Sequence, residues 1–381
     1  MRIALIRRCC SLKMAGAERY CVNLFRNLQR LGHDVTIIGE KIDEELRDEV
    51  SFVPVPVNRL TSWTRNRSFA ENSGRLAAQG RFDVVHGLSR AEGLDTYRLT
   101  DPMQTHWVNV YYRNPVERWL QQHNPRHRAL FQLEQKLYGP NGAKRIITQS
   151  KLDTKLLQEY FGLPEERIRR ICNGVDLDAF HPRYQLEREE TRREFGIPST
   201  VPLLAFAGMD FRRKGLAPLL QALARTRCRE AWLIVYGNGA IPTYQRMAAQ
   251  LGVGKRVVFA GRQQNMARCY AAADLFLLPT IYEPFPNVNL EAMACGTPVV
   301  TTRTAGGADI IEDGRNGYLV SSAYAIEELA NTIDYHFLLP ASARNCFSEY
   351  SREVAMRFPV ENNARQTAAV LEEVLGEKSR V

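Results

Sequence analysis

The sequence predicts an α/β protein made of two Rossmann-like domains with a cleft between them. Short apolar runs alternate with amphipathic stretches, the pattern of parallel strands joined by crossover helices. This rhythm occurs twice, on either side of a turn-rich, charged stretch near residue 173. The 381 residues, 45% hydrophobic and 24% charged, suit two ordinary domains and exclude a disordered or fibrous chain.

In the first half, Arg2–Arg8 reads as a strand, followed by a loop and an amphipathic helix over Glu18–Leu31 that stops at Gly32. Val35–Gly39, Val53–Val57, Phe82–Gly87 and Lys144–Ser150 are further β-type runs. In the second half, Leu203–Gly208, Trp232–Gly237, Val257–Gly261, Leu275–Pro279 and Pro298–Thr302 read as buried strands covered on both faces. Helical stretches at Gly215–Arg225, Thr243–Leu251, Asn265–Ala273 and Asn287–Ala294 separate them. Asn173-Gly174-Val175-Asp176, then Pro182 and the charged 187–194 stretch, marks the linker. This divides the chain into domains 1–172 and 173–357.

No apolar run approaches the ~20 residues of a membrane span. Met1–Arg8 has no cleavage-site pattern, so no signal peptide is expected. Eight cysteines without a C-x-x-C pair fit neither a zinc site nor a disulfide scaffold, and suggest reduced thiols in a cytosol.

Glu283 and Glu291, in EPFPNVNLE, carry the strongest chemical signal. Glu283 falls on the loop leaving a strand's C-terminal end, where open α/β sheets bind ligands. Glu291 lies about one turn into a helix starting near Asn287, whose N-terminus offers backbone N–H groups to a phosphate. An isolated glutamate pair is ordinarily solvated. This one is embedded in P-T-x-x-E-P-F-P…E-A-M-A-x-G-x-P-V-V. Gly208–Gly215 (GMDFRRKG) sits likewise between a strand and a helix, and its Arg–Lys pair suits a diphosphate. The first loop, Met14–Arg19, is not a G-x-G-x-x-G fingerprint, which argues against a nicotinamide cofactor.

These motifs resemble the E-x7-E retaining glycosyltransferases of family 4, with the GT-B fold. The resemblance implies that Glu283 lies beside the donor sugar, Glu291 binds the nucleotide ribose, and Arg213 and Lys214 take the diphosphate, with Arg212 a bystander. It extends to Gly16 and Arg19 in the first loop, where Ala15-Gly16-Ala17 stands in place of two consecutive glycines. Gly237, Gly261, Arg262 and Asn287 fall in loops around the base and phosphates. It also implies a C-terminal helix, within residues 358–381, that packs back on the first domain.

Asp95–Asp101 (DTYRLTD) resembles a segment of lipopolysaccharide core glucosyltransferases that glucosylate a heptose. Asp101 then faces the acceptor hydroxyl, and His106 is the fallback. The resemblance implies UDP-glucose as co-substrate, no other cofactor, and a phosphorylated glycolipid acceptor. No D-x-D motif sits at a strand end, since Asp176-Leu177-Asp178 belongs to the linker, so no metal is expected.

The net charge of +9 lies wholly in residues 1–172, which hold 28 Lys/Arg against 19 Asp/Glu. Residues 106–151 carry a net +6 of it, interleaved with six Trp, Tyr and Phe residues. Such a segment suits an anionic membrane surface, and the expected location is peripheral on the cytoplasmic face of the inner membrane. Two rivals stay open: a UDP-sugar epimerase on the same fold, and a nucleic-acid module built on the basic half. The second leaves the glutamate and Arg–Lys motifs without a role, so no nucleic-acid partner is expected.

Overall fold

A computed structural model describes residues 1–12 and 16–379. The chain forms two compact units, one of residues 1–173 with 360–381 and the other of residues 174–359. All strand pairing is parallel within the described residues.

The first unit holds a seven-stranded sheet: β1 (Arg2–Ile6), β2 (Asp34–Gly39), β3 (Ser51–Pro54), β4 (Val84–Gly87), β5 (Thr96–Arg98), β6 (Arg145–Thr148) and β7 (Ile168–Arg170). Their spatial order is β3-β2-β1-β4-β5-β6-β7. Its helices are α1 (Ala17–Arg30), α2 (Ser62–Gln79), α3 (Gln104–Tyr111), α4 (Pro115–His123), α5 (Pro125–Tyr138) and α6 (Lys151–Phe161). Local chemistry sets their ends. Ser150 caps α6 by accepting from the Asp153 N–H, and Gly162 closes it in the left-handed region. Asn114 caps α4 ahead of Pro115.

The second unit holds β8 (Leu203–Ala207), β9 (Trp232–Tyr236), β10 (Val257–Gly261), β11 (Leu275–Leu278), β12 (Val299–Thr302) and β13 (Gly317–Val320), ordered β10-β9-β8-β11-β12-β13. Helices α7 (Arg188–Glu194), α8 (Leu216–Arg225), α9 (Ile241–Gln250), α10 (Met266–Ala271), α11 (Asn287–Ala294), α12 (Ile326–Leu338) and α13 (Ala341–Ala355) belong to it. In both sheets the first strand lies between the second and the fourth. That reversal of strand order is the topological switch point of doubly wound folds, and the crevice beyond it is their usual ligand site.

The last helix, α14 (Val360–Lys378), belongs to the first unit. Its Ala364, Ala368 and Leu371 join the core formed by β1, β2 and α1. Strand β5, by contrast, lies inside the Asp95–Asp101 segment, which the sequence does not mark as a strand. Its letters, TYR, hide a fully buried strand. Thr96 is bonded to the ring of buried His86. Arg98 lies over the Tyr20 ring and donates to the Ile171 carbonyl and to Asn173.

Candidate active site

The second unit builds its site at the switch point between β8 and β11. After β8, the Asp210 carboxylate accepts the Arg213 N–H at 3.0 Å and the Asp210 carbonyl accepts the Lys214 N–H at 2.9 Å. The resulting tight turn delivers both basic side chains to one place. Gly215 then starts α8 at φ +82°, where a Cβ would lie 1.9 Å from the Pro279 carbonyl oxygen. Only glycine fits there. The Arg213 carbonyl in turn accepts from the Ile281 N–H at 2.9 Å and the Thr280 hydroxyl at 3.0 Å. The loops after β8 and β11 are thereby tied together through the backbone.

Glu283 is held by its own carbonyl, which accepts the Gly306 N–H at 2.8 Å. Its carboxylate accepts a hydrogen bond from Lys214, with an Arg213 guanidinium nitrogen at 3.8 Å. Side-chain exposure is only 8% for Lys214 and 15% for Glu283. Burial pushes the Glu283 carboxyl up, but the two cations outweigh it and hold it below the ordinary carboxylate range. Burial pulls the Lys214 ammonium down, and its pairing with Glu283 only partly offsets that, so it too sits below its usual value.

Helix α11 begins at Asn287, four residues after Glu283 and directly behind Pro286. Glu291, one turn in, accepts a 3.0 Å hydrogen bond from the Tyr270 hydroxyl, which fixes its direction. Gly237 adopts φ +117° at the end of β9. A Cβ there would meet the Gly208 carbonyl oxygen at 1.8 Å, so the loops after β8 and β9 touch backbone to backbone. Arg262, after β10, is exposed, as is Arg212. The structure therefore brings Arg213, Lys214 and Glu283 into direct contact, with Glu291 and Asn287 on the adjoining helix. Gly237 and Arg262 lie on neighbouring loops at the same sheet edge.

In the first unit, Gly16 takes φ +67° and precedes α1, and Arg19 is exposed in the first turn of α1. Lys13–Ala15 of that loop lie outside the described residues. Asp101 is half-buried 3.4 Å from Arg7, which also pairs with Glu18 at 2.8 Å. His106 is packed against Tyr160, its ring nitrogen 3.2 Å from the tyrosine hydroxyl, and burial lowers its pKa. It does not line the cavity that Asp101 does.

The basic aromatic segment divides differently from its reading as one surface. Tyr138 is core, and Arg145 is bound to Glu373 and Glu377 of α14. Exposed apolar surface is instead concentrated on α4, at Val116, Trp119 and Leu120, 68%, 58% and 55% exposed. Among the described residues no helix is long and apolar enough to cross a membrane, and no group of three or more metal-ligating side chains occurs.

Sequence reasoning missed Tyr270 and Asn289, and it missed the first unit's Arg7, Arg8, Asn66, Ser89 and Arg90. Asn289 is wholly buried on α11 and neither amide atom has a hydrogen-bond partner. The one available signal for Asn289 was a polar residue on an otherwise apolar helix face. For Arg7 and Arg8 it was a cation pair at a strand end.

Comparison with known proteins gives this geometry a family. Residues 187–354 match Glycosyl transferases group 1 and residues 14–179 match Glycosyltransferase Family 4. The lipopolysaccharide glucosyltransferase WaaG of Escherichia coli K12 is 25% identical, over 89% of this chain and 90% of its own. A crystal structure of WaaG superposes with a TM-score of 0.84 at 23% identity, covering 97% of this chain and 99% of that one. The D-inositol 3-phosphate glycosyltransferase of Corynebacterium aurimucosum is 28% identical over 84% of this chain and 82% of its own. Anabaena HepE, solved with UDP-glucose, gives a TM-score of 0.75 at 19% identity, with 98% of this chain and all of that one covered. The two family matches together take in most of both units, and the chain has the GT-B fold, with a second unit that matches group 1 glycosyltransferases and a first unit that matches glycosyltransferase family 4.

Proposed function

We propose that the protein is a retaining hexosyltransferase that moves glucose from UDP-glucose to a heptose of the lipopolysaccharide core. The acceptor is a phosphorylated glycolipid met at the cytoplasmic face of the inner membrane. The observation that carries this reading is the contact of Lys214 and Arg213 with Glu283 at the switch point, next to the start of α11. A sugar nucleotide needs a cationic partner for its diphosphate and a carboxylate near the sugar. One turn and one loop provide both. Similarity to WaaG and to HepE supports glucose and UDP as the transferred group and its carrier.

In the reaction, Arg213 and Lys214 stabilise the negative charge that builds on the departing diphosphate, and no metal is needed for it. Glu291, oriented by Tyr270, accepts hydrogen bonds from the ribose hydroxyls. The sugar's anomeric carbon faces the acceptor hydroxyl on the side from which UDP leaves, so configuration is retained. Asp101 accepts the hydroxyl proton. Gly16, Arg19, Gly237, Arg262 and Asn287 complete the donor contacts.

Incubation with UDP-glucose and a phosphorylated heptose oligosaccharide, followed by mass spectrometry, tests the reading. One hexose should add, and NMR of the product should show the donor's anomeric configuration. Lys214→Ala and Arg213→Ala should each lower kcat by about 10²–10³-fold, the usual cost of removing one preorganised donor. Free-sugar isomerisation without transfer, or unchanged turnover in both variants, refutes it.

A further inference from the structure

The first unit carries its own switch-point cavity, about 220 Å³ in volume, between the loops after β1 and β4. Arg7, Arg8, Ser89, Arg90, Asn66 and Asp101 are among the residues that line it. A single water occupies roughly 30 Å³ of liquid, so the space suits a small solute. Its charges are unequally matched. Arg7 is neutralised by Glu18 and Asp101, and Arg90 by buried Glu134 at 2.7 Å. Arg8 has no ion pair among the described residues.

Arg8 donates to the Asn66 Oδ1 at 2.8 Å and lies over the Phe69 ring at 5.1 Å, while its buried Nε has no partner. Of the acidic groups that influence it, Glu40 is already shared by Arg59 at 3.0 Å and Arg65 at 2.8 Å, and Asp101 is paired with Arg7. Around Arg8, five arginines therefore face four carboxylates. Burial, reinforced by Arg65, accordingly lowers its pKa. Further donors surround this cation. The Ser89 hydroxyl accepts the Arg8 backbone N–H at 3.2 Å, which leaves its own proton to give. Asn66 Nδ2 has no acceptor among the described residues.

We infer that Arg8, with Ser89 and Asn66, forms a binding site for a phosphate monoester within this cavity. A guanidinium binds phosphate oxygens in a paired geometry that a point charge does not reproduce. The Asp101 and Glu18 carboxylates, both tied to Arg7, stand ready across the same cavity to accept hydroxyl hydrogens. The ligand is thus a polyol with a phosphate group close to its hydroxyls. This rests on the proposed function only in making that ligand the acceptor, and the phosphate site stands or falls without it.

The test is calorimetry on the full chain saturated with UDP, so that the second unit's cations are occupied. Glycerol 1-phosphate is the soluble probe, glycerol its uncharged control, and phosphatidic acid in phosphatidylcholine vesicles the lipid probe. The wild type should bind a phosphate probe and not glycerol. Arg8→Gln should weaken that binding at least tenfold with UDP affinity unchanged, and Arg8→Lys should fall between the two. Ser89→Ala should weaken it several-fold, and reads the same site should Arg8→Gln fail to fold. Loss in the soluble arm names a free phosphate, and loss in the vesicle arm a headgroup. Equal binding by wild type and folded Arg8 variants, or no phosphate binding by the wild type, overturns the inference. Failure of UDP itself to bind counts instead against the glycosyl-transfer reading, and phosphate titration without UDP then still decides the Arg8 site.

Discussion

Lys214 is buried beside Glu283, and each side chain supports the other's charge. Removing the carboxylate strands a buried ammonium, a change that costs about 3–5 kcal/mol in comparable pairs. Loss of activity in a Glu283→Ala protein therefore mixes lost chemistry with lost stability, as does loss in Lys214→Ala, and Arg213→Ala, which leaves the buried pair intact, is the cleaner probe. The lowered Lys214 pKa has its own consequence. UDP binding requires the protonated ammonium, so affinity is full at neutral pH and falls as pH rises through a value below the ordinary 10.5. Calorimetric titration of UDP between pH 7 and 10.5 should show that fall in the wild type. Lys214→Arg, which stays charged throughout, should not show it. An identical decline in both would assign the titration to another group. Of these residues, Glu283, Glu291, Arg213 and Lys214 were legible because their motif is local. Tyr270 was not, because its contact with Glu291 is made only by folding, and Asn289, although inside the motif, was not, because nothing in the sequence shows that its amide is buried.

Among the elements, the strands of the second unit could be read from the sequence because parallel strands covered on both faces are continuously apolar. LLAFA at β8 and LFLL at β11 are fully buried. Strand β5 could not, since its Thr96 and Arg98 are buried through hydrogen bonds and a cation–π contact, and its Tyr97 against the Tyr138 ring, none of which periodicity registers. Helix α4 departs from expectation in the opposite sense. None of its residues is buried, yet Val116, Trp119 and Leu120 form one stripe at helical spacing. Arg113, Arg126 and Arg128 are exposed nearby in the chain, and each cation close to an anionic leaflet contributes about 1 kcal/mol. Replacing the three apolar residues by Ser should leave thermal stability within about 0.5 kcal/mol per site. Sedimentation with phosphatidylglycerol vesicles should drop several-fold, as it should on charge reversal of the arginines. Undiminished sedimentation in both variants removes the membrane role from this segment.

For the whole molecule, the two units differ in charge and in how the chain builds them. The first carries 31 Lys/Arg against 23 Asp/Glu and the second 20 against 19. Both proposed anionic ligands thus have dedicated cations, but only the first unit has a general positive field. The second unit is one continuous stretch, residues 174–359, and contains Arg213, Lys214, Glu283 and Glu291. The first unit is split and needs α14 to close its core. Leu371 and Val374 are fully buried, which contributes about 3–6 kcal/mol at 1.5–3 per side chain. Glu373 pairs with Arg145 and Arg169, and Lys378 with Asp95. A domain's total stability is only about 5–15 kcal/mol, so loss of this helix is decisive. A fragment of residues 174–359 should therefore melt in one transition and be stabilised by UDP in a thermal-shift assay. A fragment of residues 1–173 should lack a cooperative transition and regain one when a peptide of residues 360–381 is added. Cooperative melting of 1–173 alone would show that α14 is an accessory to the first unit and not part of its core.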